Sequence, residues 1–303
     1  MRLATRAIKV WFWILFAGTA AANPVLDQQH APIGNFPALT VANDRTQIQT
    51  FTVGISGLLA RIDVNIWRQP QAVEEVDLSV WSTDPFTGLP KSLLATRSVL
   101  PIFPTGTSQA FITFELETAI SVSAGVLLSI LLDSDAPNIP PNFPERYLWQ
   151  NGGQYDRGRG FTRVGGILFE VQDFHFRTFV IPSVNVNTEL SALVKPGTSV
   201  FNRQPVPGGP AGTFSFTAKF CNSGQQRLNV LRTVTVTLSG GNILLNRDSL
   251  TPPGVGSELT IPAAGNYADL TLTGGECVEV TYLIGLAQWA PFEFFVNVFS
   301  VIY

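Results

Sequence analysis

A nucleophilic hydrolase needs a serine or cysteine activated by a histidine that a carboxylate orients, and of the two histidines, His30 and His175, only His175 is a realistic base. No Gly-x-Ser-x-Gly elbow accompanies them. His175 lies in Asp173-Phe174-His175-Phe176-Arg177, a strand pattern whose apolar residues point to the other face, so it is expected as a solvated or locally satisfied strand residue. His30 falls in what reads as the irregular leader of the mature chain. Glycoside hydrolysis needs two carboxylates about 5 to 10 Å apart, and Glu74-Glu75 or Asp133 with Asp135 would have to supply them. Such neighbours in turns are commonly solvated charges. Asp133-Ser134-Asp135 also lacks the Asp, Gly and Glu that complete a calcium loop, and two histidines with two cysteines make no zinc or iron cluster of the usual spacing. The expectation is therefore no catalytic residue, no cofactor and no metal.

Aromatic side chains are the more suggestive group. Trp67 and Trp81 stand at strand ends with polar-face parity, and Tyr147, Trp149 and Tyr155 surround a loop that carries Arg157, Arg159 and Arg163. A flat ring beside hydrogen-bonding side chains suits a sugar, whose apolar face stacks while its hydroxyls find partners. Trp67, Trp81, Tyr147, Trp149, Tyr155, Arg157 and Arg159 are thus the candidate ligand-binding residues. The competing reading is core filling beneath a long loop or contact with a second domain, since large aromatics dominate cores generally.

The elements that must position these residues are strands. Apolar residues alternate with polar ones at period two: Ile62, Val64 and Ile66; Val76, Leu78 and Val80; Ile112, Phe114 and Leu116. Gly and Pro turns such as Thr87-Gly88-Leu89-Pro90, Pro104-Thr105-Gly106 and Gly165-Gly166 punctuate them at short intervals. No stretch has a convincing helical period. The class expected is all-β, built as sandwiches or barrels.

At the start, Arg2, Arg6 and Lys9 precede the apolar run Val-Trp-Phe-Trp-Ile-Leu-Phe and then Ala20-Ala21-Ala22, which reads as a signal peptide over residues 1–22. The run is shorter than the roughly 20 residues of a spanning helix. Export and no stable membrane insertion after cleavage are expected. Removing the leader takes three of the 19 basic residues and none of the 22 acidic ones, leaving 16 against 22 and a net charge of −6. That balance argues against a nucleic-acid partner, which needs a basic footprint.

A boundary is expected near Ile181-Pro182-Ser183, giving one domain over residues 23–183 and a second over 184–303. In the second, about seven strands suggest an immunoglobulin-like sandwich. Its cysteines, Cys221 and Cys277, suit a disulfide in an exported chain. Cys221 shares parity with Ser215 and Lys219, and Cys277 with Glu279 and Thr281. Both lie on polar faces, so the expected bridge joins antiparallel neighbours within one sheet rather than crossing the core between two.

Residues 27–180 resemble the β-sandwich module of secreted bacterial proteins described as choice-of-anchor or PEP-CTERM-associated. The resemblance rests on the order of Gln49-Thr50-Phe51-Thr52-Val53-Gly54, Gly57-Leu58, Gly88-Leu89-Pro90, Ala124-Gly125, Tyr147 and Trp149, and the closing Asp173-Phe174-His175-Phe176-Arg177-Thr178-Phe179-Val180. It implies a jelly-roll-like, exported, non-catalytic module. The sorting motif, apolar helix and basic tail of that group are replaced here by a strand pattern at residues 294–303, so no such anchor is expected.

Three functions follow in order. The first is a non-enzymatic secreted binding or adhesion protein that recognises a cell-surface or matrix component, with polysaccharide or another surface protein as partner. The second is a structural subunit of an extracellular assembly or filament that polymerises through strand edges, suggested by Phe292-Glu293-Phe294-Phe295-Val296-Asn297-Val298-Phe299. The third is a polysaccharide hydrolase.

Overall fold

A computed structural model of the chain describes residues 23–34, 36–135, 146–248 and 251–302; the signal peptide expected over residues 1–22 lies outside the described residues. The first twelve strands are β1 (Val25–His30), β2 (Ala38–Val41), β3 (Arg45–Thr52), β4 (Gly57–Arg68), β5 (Val76–Thr83), β6 (Pro90–Val99), β7 (Gln109–Val122), β8 (Leu127–Ser134), β9 (Tyr147–Gln150), β10 (Gly160–Val164), β11 (Ile167–Val171) and β12 (Phe176–Pro182). They form two six-stranded antiparallel sheets, one ordered β1-β12-β4-β9-β2 with β7 also on β4, the other ordered β11-β10-β3-β8-β5-β6. The period-two residues do what their spacing demands: Ile62, Val64, Ile66, Val76, Leu78, Val80 and Phe114 are fully buried between these sheets.

The second set is β13 (Val184–Asn185), β14 (Leu190–Val194), β15 (Val200–Asn202), β16 (Thr213–Asn222), β17 (Leu228–Leu238), β18 (Ile243–Leu244), β19 (Glu258–Thr260), β20 (Thr271–Leu272), β21 (Cys277–Gly285) and β22 (Phe294–Val301). One sheet runs β13-β22-β17-β19 with β20 also on β17, and the other β14-β16-β21-β18 with β15 also on β16. Their core is separate from the first and contains Phe220, Leu231, Tyr267, Val280, Tyr282 and Val298. The fold is all-β sandwich throughout. Among the described residues no helix is long and apolar enough to cross a membrane.

Cys221 and Cys277 are register partners in β16 and β21 and form a disulfide with their Cα atoms 4.0 Å apart. Parity put them there, on the polar face of one sheet. Where the two sandwiches meet, Arg232 Nη1 lies 2.5 Å from Glu258 Oε2, Arg232 Nη2 donates to Ser183 Oγ at 2.8 Å, and Ser123 Oγ donates to Glu258 Oε2 at 2.5 Å. The ion pair is nearly buried, at 8% and 13% side-chain exposure, so it clamps the junction with desolvated charge.

Two sequence expectations are corrected. His30 is the last residue of β1 rather than part of an irregular leader, because residues 25–30 pair with β12. His175 is not solvated: it sits beside the β9 end, where its backbone N–H donates to Gln150 O and its ring is covered by Phe36 and His30.

Candidate binding groove

The residues singled out from sequence divide into three places. Tyr147, Trp149 and Tyr155 are buried, at 1%, 0% and 8% exposure, and are not ligand-binding surface. For Tyr147 and Trp149 the cause is topological: β9 is paired on both sides, with β2 and with β4, and its odd residues point into the core. Trp149 stacks on Phe174 at 4.5 Å and donates its indole N–H to His175 O, while the Tyr155 hydroxyl donates to Gln28 Oε1. Burial raises the Tyr155 hydroxyl far above its ordinary value, the Arg157 charge opposing. Arg157 is exposed, and its guanidinium donates to Gln28 Oε1 and Val53 O.

Trp67 is on the outer face of the first sheet, 45% exposed, its indole N–H donated to Ser108 Oγ. Trp81 and Arg159 share the outer face of the second sheet. Trp81 packs with Ile48, Leu131, Phe161 and Leu168, and Arg159 lies 5.5 Å over the Phe161 ring and 3.7 Å from Glu170. One row away Asp77 and Asp133 are opposite each other in β5 and β8, and burial raises the Asp133 pKa above the usual carboxylate value, with Asp77 and Asp135 adding to it.

A separate concavity lies in the second sandwich. Phe214, Phe216, Ala218 and Phe220 alternate along β16 and so share one face, the face turned toward β22. Register places Ala192 and Val194 of β14 opposite Phe220 and Ala218, and Phe201 of β15 opposite Phe214, so these too point inward. Yet Val194 is 52% exposed and Phe201 57%. Inward-facing apolar side chains stay half in water only where nothing covers the gap between the sheets.

Strand order explains the opening. In an immunoglobulin-type sandwich one sheet is A-B-E-D and the other C-F-G. Here β14 with β15, then β16, β21 and β18 take the first arrangement, and β17 beside β22 takes the places of C and F. The G place, on the far side of β22, is held only at one end, where β13 pairs Val184 and Asn185 with Ser300 and Phe299. The terminal strand is therefore a free edge over only part of its length: β17 covers one side and β13 the end of the other. Val298 closes this stretch, accepting from Val186 N–H and donating to Asn187 Oδ1. By the two-residue period, Val296 and Phe294 present their backbone N–H and C=O to the same side, and among the described residues no strand pairs with them there.

The result is a cleft of about 940 Å³ between the β14/β15 edge and β22. Its floor is Phe214, Phe216 and Tyr282, and Trp289 and Phe292 wall one end. Phe201 stacks near Phe214 at 4.4 Å and Trp289 at 5.6 Å, and Arg203 covers the Trp289 ring at 5.1 Å. No acidic residue or histidine lines it. Phe214, Phe216 and Phe220 alternate in the sequence and so share one face; that part of this face is uncovered could not be seen without strand order.

No protein-family model matches the chain, and no curated protein sequence does. Among solved structures it is similar to the N-terminal CBM22-1-CBM22-2 tandem domain of Xyn10C from Paenibacillus barcinonensis, at 11% identity and a TM-score of 0.24, over 94% of this chain and 92% of that one. At that score no common fold is established.

Proposed function

We propose that the protein is a non-enzymatic, exported assembly protein whose second sandwich takes up an extended strand of another polypeptide in the groove beside β22. One observation carries this: side chains that face inward, Val194 and Phe201, are more than half exposed next to a stretch of β22 whose backbone has an open side. A strand laid there gains backbone hydrogen bonds from β22 and buries alternate side chains against the phenylalanines, the two sources of affinity in strand addition. A sugar is a poor fit, because the groove offers rings but few hydrogen-bonding side chains. Export is supported by the leader pattern and by the Cys221–Cys277 disulfide, which persists in oxidising compartments. The absence of catalysis is supported by the placement of both histidines in one buried cluster, away from the groove.

The test uses a synthetic peptide of alternating valine and threonine with terminal lysines, titrated against the chain with Trp289 fluorescence as reporter. The alternating peptide is expected to bind, a scrambled peptide of the same composition not, and Val194→Lys with Phe201→Lys to abolish binding. Equal signals from the two peptides, or binding that survives both substitutions, would overturn the reading.

A second reading attaches to the outer face of the second sheet, where the partly buried Trp81 shares a face with Arg159, Asp77 and Asp133. Rings flanked by donors and acceptors suit carbohydrate. A glycan array on which the wild type and Trp81→Ala give the same profile would remove it.

A further inference from the structure

Strand ends in a sandwich are normally guarded by shortness, a bulge, proline, lysine or cover. In the first sandwich, β1 carries a register break between Leu26 and Gln28, β2 has only four residues, and β6 holds Pro90 and Lys91, breaks register twice and packs against β7. In the second, β18 and β19 have two and three residues. In the first sandwich one edge carries none of these guards. β11, Ile167-Leu168-Phe169-Glu170-Val171, pairs with β10 over five residues without a register break, and among the described residues no strand lies on its other side. It contains neither proline nor lysine. Ile167 is 62% exposed and Phe169 50%, two residues apart and therefore on one face, with Val171 continuing the row. The hairpin tip, Gly165-Gly166, has φ of +55° and +85° and open space around both residues, so the edge is presented to solvent without obstruction.

This chain thus carries an unguarded apolar strand edge in one sandwich and an unfilled strand place in the other. Resting on the groove reading above, we infer that the strand taken up beside β22 is β11 of a second copy of this chain. The lengths agree: five residues of strand reach about 17 Å, and the free stretch of β22, residues 294–297, about 14 Å. Ile167 and Phe169 then point at Phe214 and Phe216 at the two-residue spacing of the groove, while Val171 stays packed on its own core and Glu170, on the other face, stays in water beside Arg159. The contact joins different surfaces on the two copies. Such heterologous contacts propagate into open filaments unless the rotation happens to close a ring.

The experiment is sedimentation velocity over a concentration series on the mature chain and two variants, with circular dichroism showing each folded. Ile167→Lys with Phe169→Lys removes the donor edge, and Val194→Lys with Phe201→Lys removes the acceptor; all four side chains are exposed, so the fold is kept. Wild type is expected to form concentration-dependent oligomers and each variant to be monomeric. An equimolar mixture of the two variants is expected to double the mass and go no further, because one intact donor meets one intact acceptor. Oligomers that survive in either variant, or a mixture that stays monomeric, overturn the inference. The alternating peptide separates the two levels of argument. If it binds a wild type that is monomeric at every concentration, the groove reading stands and the second copy is not the occupant. If it fails to bind as well, both fall.

Discussion

Acidification should destabilise the first sandwich through one side chain. His175 is 2% exposed, with its Nε2 lacking a hydrogen-bond partner among the described residues and its ring edge-on to His30 at 5.5 Å and Phe36 at 5.3 Å. Desolvation, with the His30 charge adding to it and the Gly152 carbonyl opposing, lowers its pKa from 6.5 to about 4. The unfolded chain takes up a proton as pH falls through 6.5, whereas the folded chain does not until about 4. Across that window the unfolded state binds more protons, so stability is full above 6.5, declines as pH falls, and loses nothing further from this group below about 4. At about 1.4 kcal/mol per pH unit the loss is about 3 kcal/mol, a large share of a typical domain's 5 to 15.

The assay is urea unfolding at a series of pH values, followed by the fluorescence of Trp149, which stacks on the residue before His175. His175→Gln and His175→Phe cannot be protonated, and either one suffices if the other packs badly. The informative quantity is the difference between wild type and variant. Asp27 and Asp133, whose pKa values burial raises, contribute with the opposite sign but are common to both proteins. Wild type is expected to lose about 2 to 3 kcal/mol more than the variant between pH 7 and pH 4.5. Parallel curves would refute the reasoning, because they would mean that the folded state accommodates the imidazolium as easily as water does.

Three further outcomes are expected. Replacing Cys221 and Cys277 by serine should lower the stability of the second sandwich by about 4 kcal/mol on the chain-entropy model, since the cysteines are 56 residues apart; urea unfolding read at Trp289 checks it, and an unchanged midpoint would refute it. Trp149→Ala should cost about 3 to 5 kcal/mol and Trp67→Ala less than about 0.5, because the first ring is fully buried and the second is 45% exposed; comparable losses in thermal melts would contradict the burial argument. Glu258→Gln should cost about 3 to 5 kcal/mol by leaving Arg232 desolvated and unpaired, and should broaden the small-angle scattering profile as the junction held by Ser123 and Ser183 loosens; a profile identical to that of wild type would show that the clamp is redundant.

What was legible in the sequence was whatever parity alone determines. Alternation placed Ile62, Val64 and Ile66 in a core, and the same rule placed Cys221 and Cys277 on one polar face, where they pair across adjacent strands. Parity says which face a side chain takes, not whether that face is covered. Tyr147 and Trp149 were ambiguous for that reason: their exposure depended on β9 having a neighbour on each side, and it has two. His30 and His175 are 145 residues apart in sequence, yet their rings meet edge-on, and no local pattern reports such a contact.

The groove is the extreme case. Its walls, Phe214, Phe216, Phe294 and Val296, read as ordinary core because they have the spacing of core residues, and in a completed sandwich they would be core. What distinguishes them is a strand place beside β22 that β13 fills only at Val184 and Asn185, and a vacancy has no residues of its own to read. A partial signal does exist in the sequence, on the other sandwich: Ile167-Leu168-Phe169-Glu170-Val171 lacks the lysine or proline that β6 carries at its own edge. An unguarded edge is a liability in a chain that remains alone. Its pairing in one molecule with an open apolar groove is the physical reason to treat the two as halves of one contact.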